Sequence, residues 1–169
     1  MSTESICNLA DSLCQTHKTN DPYELAQALG INVRYEDLGS LKGLYTVIDG
    51  CRFILVNSLL EPETQNVVIA HETGHDLLHR DIAENEHFQE FSLFDMTSKP
   101  EKEANIFAAS LIISDDDVLE YIRYGYSTDK IAKCLRIPHA LLVIKMMCMN
   151  AKGYKFNLPF VPKADFLAR

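Results

Sequence analysis

Apolar residues recur at helical spacing at Ile6, Leu9, Ala10 and Leu13, which predicts a first amphipathic helix over residues 4–17. A second helix is marked at both ends. Asp21 caps it, Pro22 suits the first helical position, Glu24 completes a capping box, and Gly30 ends the run over 23–29. The periodicity then changes. Residues 31–35, 43–48 and 52–57 are rich in β-branched and aromatic side chains, and Asp49-Gly50 is a two-residue hairpin signal. These predict a small, mostly antiparallel sheet. Pro62 then opens a long helix running from about residue 63 to 79.

Residues 80–99 are weakly patterned, and Phe88, Phe91 and Phe94 fit either one helical face or a loop anchored by aromatics. Pro100 starts a helix over 101–113, whose Ala104, Ala108 and Ala109 allow close approach to a neighbour. Ser114 or Asp115 caps a segment ending near Gly125, and Ser127 caps another through Leu135. Pro138 begins an apolar helix over 140–149, closed near Gly153. From Tyr154 onward, Pro159 and Pro162 predict an extended tail across the surface. No linker separates these parts, so one α+β unit is expected, with residues 1–113 forming a core and 114–169 a C-terminal helical region and tail.

Composition narrows the function classes. The 169 residues suffice for one sizeable core. A net charge of -8 disfavours an unassisted grip on a nucleic-acid backbone, which needs clustered cations, so no direct nucleic-acid binding is expected. No stretch approaches the roughly 18 apolar residues of a membrane span, and Met1 to Glu4 lacks the basic and apolar regions of a signal peptide. A cytoplasmic protein is expected. Cys7, Cys14, Cys51, Cys134 and Cys148 are odd in number with no C-x-x-C pair, which predicts reduced structural thiols and no thiolate zinc cluster.

The chemistry is concentrated in the 63–79 helix, where His71-Glu72-Thr73-Gly74-His75 forms H-E-x-x-H. Histidines four apart leave one helical face, so two imidazoles can take adjacent corners of a tetrahedron, with Glu72 beside them as general base. A Zn2+ ion suits such ligands, lowers the pKa of a water and polarises a carbonyl. Zinc in a catalytic site also wants a third protein ligand and an open position. His79 continues the stripe, but it lies eight residues from His71, about 12 Å along the axis, and is assigned a supporting place behind the ligands or in the core. The metzincin pattern is excluded because its third histidine falls at Asp81 and its glycine at Leu78.

The third ligand is therefore sought on the 101–113 helix, which offers Glu101 and Glu103 on opposite faces. Glu101 shares its face with Ala104, Asn105 and Ala108. Glu101 is chosen as ligand, with Asn105 one turn on holding the outer nitrogen of a ligand histidine. Glu103 then reads as a solvated surface carboxylate. For oxyanion stabilisation, Tyr45, His139 and Tyr154 are the candidates, each of which also reads as a packing residue.

The two segments 71–79 and 101–108 resemble the paired motifs of the ImmA/IrrE-like metallopeptidases, H-E-x-G-H-x-L-x-H followed by E-x-x-A-N/D-x-F-A. The resemblance covers about residues 20–150. It implies a zincin-like fold with a gluzincin-like site, His71, His75 and Glu101 as zinc ligands, and Glu72 as general base. It further implies a peptide substrate lying along an edge strand, for which residues 41–48 are the candidate. Family members of this kind are often encoded by phages and mobile elements, where they act as anti-repressors by cleaving a helix-turn-helix repressor. One departure is Ile112-Ile113-Ser114-Asp115, where the family often carries a proline. The competing reading is a zinc-containing regulatory module that acts on a repressor without cleavage. Residues 127–137 resemble the start of a helix-turn-helix, but low local positive charge favours a helical region that shields the cleft or docks the partner.

Overall fold

The computed structural model describes residues 1–83, 88–90 and 94–158, with 82–83 and 88–90 described in backbone only. Helix α1 (Thr3–His17) is capped by Ser2, whose hydroxyl accepts from Ser5 N, and ends at Lys18 in the left-handed conformation. Helix α2 (Pro22–Ala28) starts as its sequence predicts, the Asp21 carboxylate accepting from Glu24 N. Strands β1 (Asn32–Glu36), β2 (Gly43–Ile48) and β3 (Cys51–Asn57) follow, then α3 (Pro62–Leu78), a short α4 (Arg80–Ala83) and a three-residue strand, β4 (Phe88–Glu90). The remainder is helical: α5 (Lys99–Ile112), α6 (Asp115–Arg123), α7 (Thr128–Leu135) and α8 (His139–Ala151).

The strand order is β1-β3-β2-β4. Asp49 and Gly50 both take positive φ, 50° and 76°, and close the antiparallel β2–β3 hairpin. The sheet is mixed, because β1 runs parallel to β3. The connection over 37–42 carries the chain past β3, so β2 arrives on the far side of β3 from β1. Asn57 pins that connection, its buried amide donating to the carbonyls of Gly39 at 3.0 Å and Leu41 at 2.8 Å.

The expectation that residues 41–48 form a free edge is corrected by β4. It pairs antiparallel with β2 in the register Gly43↔Glu90, Leu44↔Gln89 and Tyr45↔Phe88. Phe88 therefore starts a strand. Phe94 is a buried anchor with φ of 69°, and Phe91 lies outside the described residues.

Helix α3 is enclosed rather than amphipathic: every residue from Val67 to Asp76 is buried. It packs against β2, β3 and α2 and, on another side, against α5. α5 in turn lies against α1 and α8. The two helices approach closely at Gly74, where a Cβ would stand 3.0 Å from Ala104 Cα. On the far side, Leu141, Leu142, Val143, Ile144 and Met149 of α8 are almost wholly buried. Each such side chain contributes about 1.5–3 kcal/mol, so α8 is held mainly by its apolar surface. Its one buried cation, Lys145, meets Asp115 at 2.6 Å, and Lys152 bridges Asp11 and Asp115.

Ser114 and Ser127 cap α6 and α7 as their sequence predicts. After α8, residues 154–158 form no helix or strand, and Tyr154 stacks on Phe156. The predicted tail positions Pro159 and Pro162 lie outside the described residues. Among the described residues, no helix is long and apolar enough to cross a membrane.

Candidate metal centre

His71 and His75 stand one turn apart on α3, their rings edge to face with centroids 4.7 Å apart. Glu101 comes from the first turn of α5, which Ser98 caps and Pro100 stiffens. The close α3–α5 packing at Gly74 and Ala104 brings that carboxylate to His71 Nε2 at 3.1 Å and His75 Nε2 at 3.4 Å. The two Nε2 atoms are 3.0 Å apart. One donor atom from each of the three residues falls within 4.8 Å of the others, so the trio could hold a metal ion.

The outer nitrogens are held as well. Asn105 Nδ2 donates to the Asp95 carbonyl at 2.8 Å, which leaves Asn105 Oδ1 to face His71 Nδ1 at 3.0 Å. An acceptor there places the imidazole proton on Nδ1 and presents Nε2 as a lone pair. His75 Nδ1 lies 3.2 Å from His79 Nδ1, and His79 Nε2 lies 2.9 Å from Glu103 Oε2. With His79 donating to Glu103, its Nδ1 accepts from His75, so the same tautomer is imposed on the second ring. Burial pushes His75 down to about 4, against the raising effect of Glu101. Burial by itself would raise Glu101, but the His71 and His75 rings beside it hold it well below the usual carboxylate range. Near neutrality His75 is thus a neutral imidazole and Glu101 a carboxylate, the protonation states that metal ligation requires.

Glu72 is buried beside His71, and its carboxylate abuts β2. A Cβ on Gly43 would lie 2.9 Å from Glu72 Oε1 and would overlap the Val68 side chain. Gly43 therefore makes room for the glutamate.

The expectation for Glu103 is corrected. It is 8% exposed and bound to His79, with the Met1 amino group on its other oxygen, because its face of α5 turns towards α3 and α1 instead of solvent. The structure brings none of the three oxyanion candidates into the cluster. Tyr45 is fully buried and donates to Asp76 Oδ1 at 2.7 Å, and His139 pairs with Thr128 and Asp129 on the C-terminal helices. Tyr154 stacks on Phe156.

The residues 26–147 match the family model described as the IrrE N-terminal-like domain. The chain belongs to the ImmA/IrrE-like metallopeptidase family. It is similar to the metallopeptidase ImmA of Bacillus subtilis strain 168, 29% identical over 143 residues that cover 80% of each chain. It is also similar to an uncharacterised immunity region protein 2 of Bacillus phage phi105, 34% identical over 134 residues covering 79% of this chain and 84% of the relative. Membership implies a metal ion, and the His-His-Glu cluster supplies a donor set of the kind such an enzyme uses.

Sequence reasoning missed the support beneath the α3 helix. The buried Asp76 carboxylate takes the Tyr45 hydroxyl, Arg52 Nη1 at 2.9 Å and Arg80 Nη2 at 3.1 Å, tying the residue after His75 to the sheet. An aspartate inside an apolar stretch was the available signal. Its partners are distant in sequence and carried none.

Proposed function

We propose that the protein is a cytoplasmic zinc endopeptidase of zincin-like fold that cleaves a protein substrate, a helix-turn-helix repressor of a phage or mobile element. The observation that carries this reading is the convergence of His71 Nε2, His75 Nε2 and the Glu101 carboxylate, with both rings oriented from behind and Glu72 next in the chain. Two imidazoles and one carboxylate are the ligand set of catalytic zinc with an open position. The similarity to a metallopeptidase and to a phage immunity-region protein supports the setting.

In this reading His71, His75 and Glu101 hold the ion, and Asn105 and His79 fix the rings. Bound zinc supplies Lewis acidity, which polarises a peptide carbonyl and makes a nearby water more acidic. Glu72 accepts the proton of the attacking water and passes it to the leaving amine. Its burial against Gly43 limits the positions its carboxylate can take. In this reading residues 1–113 carry the machinery, and the helices that follow residue 113 belong to the same unit.

An extended peptide would add to the sheet by backbone hydrogen bonds. Because β4 covers Gly43–Tyr45, the outer edge of β4 is the proposed track.

The test incubates the purified chain with repressors from its own genetic neighbourhood, with and without chelator, beside Glu72→Gln. Chelator-sensitive cleavage that Glu72→Gln loses while retaining zinc is expected. Full biological activity in zinc-loaded Glu72→Gln would instead establish a regulatory module that acts without cleavage.

A further inference from the structure

The sheet has two edges, and the proposed peptide track uses only the one at β4. β1 forms the other, and among the described residues no strand pairs with its outer side. Backbone groups along a strand point alternately to its two sides. Glu36 O accepts from Ser58 N on the β3 side, so the backbone groups of Asn32, Arg34 and Glu36 face β3 and those of Val33 and Tyr35 face outward. The Ile31 N–H, also outward, is taken by the Ala26 carbonyl at 2.9 Å. Val33 and Tyr35 are therefore the open rungs.

The side chains divide between the two faces of this edge. Tyr35 is 44% exposed and stacks on Tyr23 of α2, ring centroids 6.5 Å apart at 26°. On the opposite face Arg34 and Glu36 are exposed, and neither has an ion-pair partner among the described residues. Their neighbours on β3, Leu55 and Asn57, are uncharged. The other carboxylates near the edge are engaged locally. Asp37 accepts from Gly39 N at 3.0 Å, Asp21 caps α2, and Glu24 accepts from the Thr19 hydroxyl.

We propose that the β1 edge is a homodimer interface, its occupant being β1 of a second copy of this chain run antiparallel to the first. Charge selects the register. Pairing Tyr35 with Tyr35 sets Arg34 of each copy opposite Glu36 of the other, with Val33 opposite Asp37. A slip of two residues one way opposes Arg34 to Arg34, and the other way Glu36 to Glu36; a slip of one matches open rungs with closed ones. In the favoured register Val33 and Tyr35 supply the hydrogen bonds, and Arg34 meets Glu36 in the closer, non-hydrogen-bonded pairs. Helix α2 runs back along β1 from Tyr35 to Ile31, so a two-fold axis at Tyr35 leaves the two α2 helices end to end instead of overlapping. Such an axis closes on itself, and association stops at two copies. β4 lies at the far edge, so both peptide tracks stay open.

Sedimentation velocity of the purified full chain, from about 1 to 500 µM, reads the association. The parent is expected to form a reversible dimer towards the upper concentrations. Arg34→Glu and Glu36→Arg each oppose like charges in both pairs, and each should weaken dimerisation at least about tenfold. Mixed in equal amounts, the two variants recreate both opposite-charge pairs and should associate within about threefold of the parent. Circular dichroism verifies that each variant is folded, and Arg34→Gln, expected to weaken dimerisation severalfold, replaces a reversal that unfolds. A parent that stays monomeric throughout would overturn the proposal, and would mean that the edge is covered by another part of this chain or kept for a different protein. Single variants within about twofold of the parent, a mixture no more associated than its components, or species larger than a dimer would overturn it as well. None of these outcomes bears on whether the His71–His75–Glu101 cluster cleaves peptides.

Discussion

Gly74→Ala tests the close packing that builds the site. The added methyl would lie 3.0 Å from Ala104 Cα, 3.3 Å from Ala104 O and 3.3 Å from Phe107 Cβ. Carbon–carbon contacts are comfortable at about 3.5–4.0 Å, so α3 and α5 must separate by about 0.5–1 Å. Two of the three atoms are backbone on a helix packed on several sides, and rotamer changes cannot absorb the overlap. Overpacking of this kind costs about 1–3 kcal/mol. Alanine gains back about 0.8–1 kcal/mol over glycine in a helix interior. The rigidity of the neighbours favours the upper part of the cost, leaving a net loss of about 1–2 kcal/mol. Because His71 and His75 lie on one helix and Glu101 and Asn105 on the other, the same displacement loosens the cluster. Urea unfolding of the metal-free variant should show the loss, and competition with a chromophoric chelator should show zinc affinity lowered about tenfold or more. A variant stabilised by the full helix-propensity gain, with unchanged zinc affinity, would refute the reasoning.

Asn105→Ala removes the acceptor that orients His71 and should lower zinc affinity about 10–100-fold in the same chelator competition, while the secondary structure seen by circular dichroism is unchanged. Gly43→Ala places a methyl against Val68 and 2.9 Å from Glu72 Oε1. Peptide hydrolysis should fall at least about tenfold while zinc remains bound, since the intruded group is the proposed base and not a proposed ligand. Asp76→Asn breaks a buried charge network whose Arg52 and Arg80 partners are partly in water. It should cost about 2 kcal/mol or more in denaturant unfolding, somewhat less than a fully buried pair. Zinc should raise the unfolding temperature of the parent and leave that of His71→Ala nearly unchanged, because an ion that binds only the folded state stabilises by mass action.

Local chemistry was legible in the chain itself. The caps at Asp21, Ser114 and Ser127, the Asp49-Gly50 turn and the i, i+4 histidine pair each depend on residues within one or two turns, where backbone geometry leaves few alternatives. The face shared by Glu101 and Asn105 follows from helical periodicity in the same way. What the 101–113 helix packs against does not. Only the tertiary structure decided that α5 sits between α3 and α1, which buries Glu103 against His79 where a lone helix would leave it in water. Only the sheet order decided that β4 covers β2, since three residues within a weakly patterned stretch carry too little periodicity to announce a strand. Asp76 found Arg52 and Tyr45 across the α3–sheet interface. Sequence spacing determined the donors available on each helix, whereas non-local packing determined which of them meet.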